Sequence, residues 1–404
     1  MSNQIAIVGA GASGLITSII LASKGIKVIV YEENSKVGKK LYATGNGRCN
    51  ITNQNISLKN FYSSTDNFIK DVLNQFSFED CKSFFSKIGL EFSINENGRV
   101  YPLSLQASSV VEVLENQAIS YGVEFRLNTK VEDIKYKNKK FIINYKDIYS
   151  NIIIATGSTA MSKGSHINKG YDFAKYFGHN IIKTFPSLVQ LISDDKNIDI
   201  ANGVKIEGVV NGIKGDILFT KYGLSGSAIL DISRDISQKL QKQKNILVTI
   251  DTLPNLSYKE ILDILLRNIK NNKNQNIYLW LNSIINKKLA KYIILKSNIP
   301  NNIKYTNFLT QNYIEQIIKN IKELKINITD TKGVQSAEVL AGGVDLKNID
   351  KYSMCSNNQD GLYFVGEVVD VDADCGGYNL HWAWASGYVC ACSIIKKLEG
   401  EKNV

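Results

Sequence analysis

Residues 4–14, Gln4-Ile-Ala-Ile-Val-Gly9-Ala-Gly11-Ala-Ser-Gly14, decide the fold of this chain. A short apolar run that stops at a glycine reads as a buried parallel strand. Helical spacing follows through Leu15, Ile19, Ile20 and Ala22, and Gly25 closes it as a C-cap. A second strand, Lys27-Val-Ile-Val-Tyr31, ends in Glu32. This is a β-α-β unit, the building block of a doubly wound sheet. The glycine spacing alone is weak, because turns everywhere use glycine. Here it follows a strand, opens a helix, and has an acid closing the next strand, the context that a dinucleotide-binding fingerprint requires. Gly9 permits the tight turn, Gly11 lets the backbone approach a pyrophosphate, and Gly14 lets helix and strand pack closely. The helix start, with Ala12 and Ser13, offers N–H groups and a partial positive charge to phosphates. Glu32, with Glu33 beside it, is expected at the adenosine ribose hydroxyls. A purely structural glycine turn is the alternative, and the unit does not by itself separate FAD from NAD.

Working outward, residues 33–60 are rich in Gly, Asn, Thr and Lys without periodicity, which is too long for an idle connection and predicts a functional loop. A helix is predicted over residues 104–121, then strands over 123–127, 139–145 and 151–155. Short alternating strands with glycine turns fill 187–252. Ser257-x-x-Glu260 is a capping box that opens an amphipathic helix, and Ile314, Ile317, Ile318, Ile321 and Leu324 mark another. The predicted organisation is an α/β Rossmann-type FAD-binding domain in two parts, 1–186 and 331–404. Between them lie a β-rich domain, 187–252, and a helical domain, 253–330.

The C-terminal part points to FAD. Gly361-Leu-Tyr-Phe-Val-Gly366-Glu367 is an apolar strand ending in glycine and an acid. In flavoproteins of the two-dinucleotide-binding type, such a strand end sets a carboxylate on the ribityl hydroxyls, which NAD lacks. Gly376-Gly377-Tyr378-Asn379-Leu380 then leads into a helix whose N-terminus would stabilise the anion of reduced flavin. The alternative is a glycine loop before a core helix. Ala155-Thr156-Gly157 marks the return of the chain to the FAD domain, and Val131, on the preceding strand, is placed to offer backbone bonds to adenine.

Thr44-Gly-Asn-Gly-Arg-Cys-Asn-Ile-Thr-Asn53, preceded by Gly38-Lys-Lys-Leu41, resembles the signature of the BaiN/RdsA-type NAD(P)/FAD-dependent oxidoreductases. Members of that family include aminoacetone oxidases and reductases of unsaturated 3-oxo bile acid intermediates. Gly98-Arg-Val-Tyr-Pro102, Gly170-Tyr171, Gly178-His179, the 219–226 segment, Ala341-Gly-Gly-Val344 and the run from Gly366 to Leu380 carry the same likeness, so it covers nearly the whole chain. The resemblance implies an FAD domain interrupted by a β-barrel and a helical domain. It also implies a Gly38–Asn50 loop that wraps FAD: Lys39, Lys40 and Arg48 offset phosphate charge, and Thr44 and Asn46 bond near the flavin. Gly45, Cys49 and Asn50 complete the loop's part of the cofactor-binding set, and Asp374 orders the C-terminal loop. Ser227 and Leu340 depart from the family pattern, which calls for proline and threonine there; Leu340 puts the substrate pocket in doubt.

The bulk composition sets limits. The chain has 404 residues, 44% hydrophobic and 21% charged, enough for more than one core. No apolar run is long enough to span a bilayer; Leu15–Ala22 lacks a basic leader, so the chain is expected to be cytoplasmic. Six cysteines without a Cys-x-x-Cys pair argue against a thiol–disulfide reductase and against a structural zinc site. Cys49 and Cys375 read as small packing residues rather than a redox pair. His381 and Tyr378 are the candidates for proton donation, weighed against a histidine and a tyrosine simply ordered in a first helical turn. Asp370, Asp372 and Asp374 alternate but lack the bidentate Glu of a calcium loop, so no metal is expected. The net charge of +10 comes from lysines spread along the chain, with no basic block interleaved with aromatics, and a solvated surface is the favoured interpretation. The expected activity is hydride transfer between a small organic substrate and FAD N5. With no second glycine fingerprint, NAD(P)H would act as a transient co-substrate, or oxygen would take its place. The alternatives are a flavoprotein acting on RNA and a non-catalytic FAD-binding regulator.

Overall fold

A computed structural model describes residues 4–65, 67–162 and 168–402. Five parallel strands make the first sheet: β1 (Ile5–Val8), β2 (Val28–Tyr31), β3 (Glu124–Arg126), β4 (Asn151–Ile154) and β5 (Leu362–Phe364), in the order β5-β4-β1-β2-β3. Every residue of β1 and β2 is buried, as expected of a parallel sheet covered on both faces. Helix α1 (Ala12–Ala22) follows β1, α2 (Ala107–Ser120) precedes β3, and α3 (Tyr378–Lys402) ends the described chain. At the crossing of α1 and α3, the Thr17 hydroxyl donates to Ser13 O at 2.7 Å and lies 3.1 Å from Gly387 O. A Cβ on Gly387 would stand 2.6 Å from Ile16 Cγ2, so only glycine lets the two helices meet this closely.

The chain forms two compact units, one of Met1–Phe185 with Glu338–Val404 and one of Pro186–Ala337. In the second, six antiparallel strands close a barrel in the order Leu191–Ser193, Gly223–Ser225, Ile213–Thr220, Lys205–Val210, Ile246–Asp251, Leu324–Thr331. The helices Tyr258–Asn271, Ile277–Leu281, Lys287–Lys296 and Gln311–Lys322 share one apolar core with that barrel, in which Phe219, Trp280, Tyr292 and Ile326 are fully buried. The Ser257–Glu260 capping box forms, with Ser257 N donating to the Glu260 carboxylate at 2.8 Å.

Three sequence expectations change. The 187–252 segment contains a helix, Ser227–Leu240, whose buried Ile229, Ile232 and Ile236 have helical spacing. Leu324 does not extend its helix but opens the closing barrel strand, pairing with Ile250. Val131 is buried but not on a strand; it lies in the connection between β3 and the strand Ile134–Lys137.

His381, in the first turn of α3, is fully buried. Its Nε2 lies 3.3 Å from Phe76 O and its Nδ1 2.8 Å from the Thr52 hydroxyl. A carbonyl only accepts, so Nε2 carries the proton and Nδ1 accepts from Thr52. With no exposed edge, His381 is a packing residue of the core, and burial pushes its pKa down to about 4.

Two predictions follow from this packing. A Cβ on Gly14 would sit 2.0 Å from Gly9 O, so Gly14→Ala must force α1 off the turn; a loss of about 3 kcal/mol or more is expected, read as a lower denaturant midpoint at constant slope. His381 stays neutral when folded and gains a proton when unfolded, so the unfolded state binds more protons between its ordinary pKa and about 4. Stability falls as pH drops through that window, by about 3 kcal/mol in all, and His381→Gln flattens the pH–stability profile there.

Candidate functional site

The first glycine turn is built by exclusion. Gly9 has φ +108°, and a Cβ there would meet Ala155 O at 2.3 Å, so the turn after β1 rests directly on the exit of β4. Gly11 differs: its Cβ position has nothing within 4 Å. No neighbour in the protein requires glycine at that point, which leaves an open approach to the backbone. Gly11 is the N-cap of α1 and supplies no side-chain cap, so the first-turn N–H groups lack the side-chain partner that most helices provide. Ser13 is buried, and its hydroxyl reaches Val365 O at 3.4 Å.

Glu32 lies at the end of β2, 8% exposed. One carboxylate oxygen accepts from Ala10 N at 2.9 Å and the other from Asn34 N at 2.8 Å, so the acid is fixed beside the turn. Lys39 donates to Asn34 Oδ1 at 2.7 Å. Glu33 and Arg48 are exposed and form no ion pair among the described residues.

The loop predicted to be functional has local order. A 3-10 segment, Leu41–Gly47, breaks where Gly45 and Asn46 enter the left-handed region at φ 56° and 55°. Thr44 donates to Leu41 O at 2.7 Å, and Cys49 N donates to Thr44 O at 3.0 Å. Cys49 is fully buried and burial pushes its thiol up to about 11, which keeps it protonated and suits a packing role. The strand Thr52–Asn53 then pairs with Arg99–Pro102.

The C-terminal loop sits against this one. A Cβ on Gly377 would stand 2.4 Å from Thr52 O and 2.9 Å from Asn50 Oδ1. Asn53 Nδ2 donates to Gly376 O at 2.9 Å. Asp374 accepts from Tyr62 OH at 2.7 Å and from Asn60 Nδ2 at 3.0 Å, and Asn379 bridges Ala373 N and O. Tyr378 is nearly buried, with its ring edge-on to Phe61 at 5.9 Å, and Leu380 is half-buried. Gly366 has φ +78° and is held by Ser386 and Trp382 of α3, at 2.9 and 3.2 Å. Among the described residues, no three His, Cys, Asp or Glu side chains converge to hold a metal.

Glu367 is where the segments converge. It accepts from Lys40 Nζ at 2.8 Å, from Ser158 Oγ at 2.7 Å and, at 3.4 Å, from Leu340 N. Ser158 was not singled out from the sequence, nor was Asn168, which caps the helix Lys169–Tyr176 and donates to Gly157 O at 2.6 Å. No spacing rule marks Ser158; Asn168 carried the signal of an N-cap residue before an amphipathic run.

Three buried polar atoms here have no hydrogen-bond partner: Asn50 Oδ1, Thr156 Oγ1 and Tyr171 OH. Burial first, then the neighbouring Glu367 carboxylate, pushes the Tyr171 phenol up. Leaving such atoms unpaired costs about 1–3 kcal/mol each, and two of the three belong to residues that the sequence assigned to the cofactor. Together with the open space over Gly11 and the uncapped start of α1, they fit a polar, phosphate-bearing cofactor such as FAD. Of two surface cavities of about 520 Å³, one lies in the second unit and is lined by residues such as Leu262 and Ile269, and the other is lined by Tyr31, Arg126 and Thr129, which flank Glu32.

Known proteins agree with this architecture. The HI0933-like protein Rossmann domain profile matches residues 3–393. A 3-dehydro-bile acid delta(4,6)-reductase of Clostridium scindens is 33% identical, covering 98% of this chain and all of that protein. A ribosomal RNA dihydrouridine synthase of Haemophilus influenzae is 29% identical, over 97% of this chain and 98% of the relative, and one of Escherichia coli is also 29% identical, over 96% and 97%. Among solved structures, a 3-ketosteroid delta1-dehydrogenase from Sterolibacterium denitrificans has the same fold, with a TM-score of 0.51 at 11% identity over 98% of this chain and 100% of that one. Matched from end to end, the chain belongs to the HI0933-like Rossmann family, the BaiN/RdsA-type FAD-dependent oxidoreductases.

Proposed function

We propose that this protein is a reductase of a carbon–carbon double bond conjugated to a carbonyl in a small organic molecule, with NAD(P)H as the transient source of electrons. The observation that carries this reading is the end-to-end match to a relative named for reducing such a bond. The reaction named for the two RNA-modifying relatives is of the same kind, since uracil's C5–C6 double bond is conjugated to a carbonyl. When bound, FAD supplies a hydride at N5. The chain's part is to place it. The α1 start and Gly11 would receive the pyrophosphate, Glu32 the adenosine ribose, and Asn50 and Thr156 the polar groups that complete their unmet bonds. Val131 would receive adenine. Gly377, Tyr378 and Leu380 would bring the start of α3 to the flavin edge, where the helix dipole stabilises negative charge. His381, sealed in the core, has no part in proton delivery.

A second reading, reduction of a base in RNA, is favoured by one observation. Residues 253–323 hold eleven Lys and Arg against four Asp and Glu, so most of the chain's net +10 lies in that segment. Nucleic-acid binding through such a surface weakens steeply with salt.

Purified protein is expected to be yellow and to release FAD on denaturation. Stopped-flow mixing with NADH and NADPH should bleach the flavin with one of them, and a conjugated enone should restore the colour. Colourless protein that ignores added FAD would sink the whole reading. Reoxidation by uridine-containing RNA but by no enone, with RNA retention lost as salt rises, would replace the first reading by the second. At the other end of the cofactor, Gly11→Ala is expected to leave the stability of the FAD-free protein within about 0.5 kcal/mol of the parent. The same change should weaken FAD binding tenfold or more, measured by flavin fluorescence.

A further inference from the structure

Lys40 carries a charge that the sequence resemblance assigns to offsetting phosphate, yet its amino group is already committed. It lies 2.8 Å from Glu367 Oε2 and 3.5 Å from Ser158 Oγ, while Ser158 donates to the other Glu367 oxygen at 2.7 Å. The two side chains are 40% and 21% exposed, so water screens the pair only in part. The base of the loop that carries Lys40 is seated by buried Val37 and by packing of Leu41–Gly47 on α2, where a Cβ on Gly38 would meet Val111. Gly38 N donates to Ala10 O at 2.8 Å and Leu41 is buried, but Tyr42, Ala43 and Gly45–Arg48 are exposed, and the bonds of Thr44 and Cys49 stay within the loop. Among the described residues, Lys40–Glu367 is the one ion pair that ties this loop to the end of β5, and it joins residues 327 apart in sequence.

We propose that Lys40 is a positioning residue, a clasp that holds the residue 37–48 loop against Glu367 before cofactor binds, rather than a phosphate ligand. Seating the loop fixes the geometry of Thr44 to Asn50, with Asn50 Oδ1 left unpaired for a ligand. The chemistry of the pair fits this role better than phosphate binding: Glu367 would otherwise be a half-buried carboxylate with only Ser158 and one long backbone bond as partners. The inference takes from the proposed function only the location of the site.

The test uses the full chain without FAD, so it does not depend on the flavin assignment. Chymotrypsin should cut after the exposed Tyr42 slowly in the parent protein. Lys40→Met and Glu367→Gln should each speed that cut by about two- to fivefold, the scale of a half-exposed ion pair, and the double variant should be no faster than either single one. Lys40→Arg should restore the parent rate. A thermal melt of each variant identifies global unfolding, and Lys40→Arg, which keeps the pair, shows whether position 40 tolerates change at all. Additive effects, or unchanged cleavage in Lys40→Met with FAD affinity falling more at low salt than at high salt, would overturn the clasp and return Lys40 to the phosphate. If the cleavage pattern is as expected but the protein never takes up FAD, the clasp stands and the flavin assignment falls.

Discussion

The contact on which the cofactor half depends is the one between the Gly9 carbonyl and α1. That carbonyl occupies the space a side chain at position 14 would fill, and Gly9 itself lies against Ala155 O. Two glycines thus let one turn touch both a helix and a neighbouring strand end. The result is a rigid corner where β1, β4 and α1 meet. Glu32 is added to it through Ala10 N, and Ser13 through Val365 O. Every other candidate residue is placed relative to that corner. The same logic acts at the opposite end, where Gly377 lies against Thr52 O and Gly387 lets α3 settle on α1. Glycine here is used mostly for the volume it does not occupy.

Polar placement follows a second rule. Carboxylates in the site are bound by the protein's own donors: Glu32 by Ala10 and Asn34, Asp374 by Tyr62 and Asn60, Glu367 by Lys40 and Ser158. The unsatisfied atoms are instead neutral ones, the Asn50 amide oxygen and the Thr156 and Tyr171 hydroxyls. Neutral groups tolerate burial without a partner far better than ions do. A site that must persist empty and then accept a polar ligand can leave such groups open, but not a bare charge.

Much of this was legible in the sequence, for physical reasons that can be named. Parallel strands buried on both faces write themselves as uninterrupted apolar runs, so β1, β2 and β4 stood out. The capping box at Ser257 is local chemistry and formed as its spacing required. The helix Ser227–Leu240 was overlooked because alternating strands flank it on both sides and its apolar stripe is short, although Ile229, Ile232 and Ile236 carried the period. Leu324 was assigned to a helix because its spacing from Ile321 suits one; tertiary pairing with Ile250 decided otherwise. His381, a candidate for proton donation, faces Thr52 and Phe76 in the core, and sequence adjacency cannot distinguish those two outcomes. Ser158 and the Lys40–Glu367 pair depend on contacts between distant segments, which no local pattern records. The lysines are spread along the chain as read, but residues 253–323 hold only four acids against eleven Lys and Arg, so the net charge collects there once the segment has a boundary.

The order in which strands enter each sheet has a consequence for how the chain is made. β4 and β5 are neighbours in the sheet, yet all of the second unit lies between them in sequence. The barrel has the same habit on a smaller scale: its closing strand, Leu324–Thr331, is translated after the four helices that share its core. During synthesis the second unit can therefore close upon itself while the first still lacks an edge strand and α3. Until then β4 presents an unpaired edge that is apolar over Ile152–Ile154, the kind that pairs with other chains. The vulnerable period ends only when residues 362–402 leave the ribosome, which makes β5 and α3 the seal on the whole first unit.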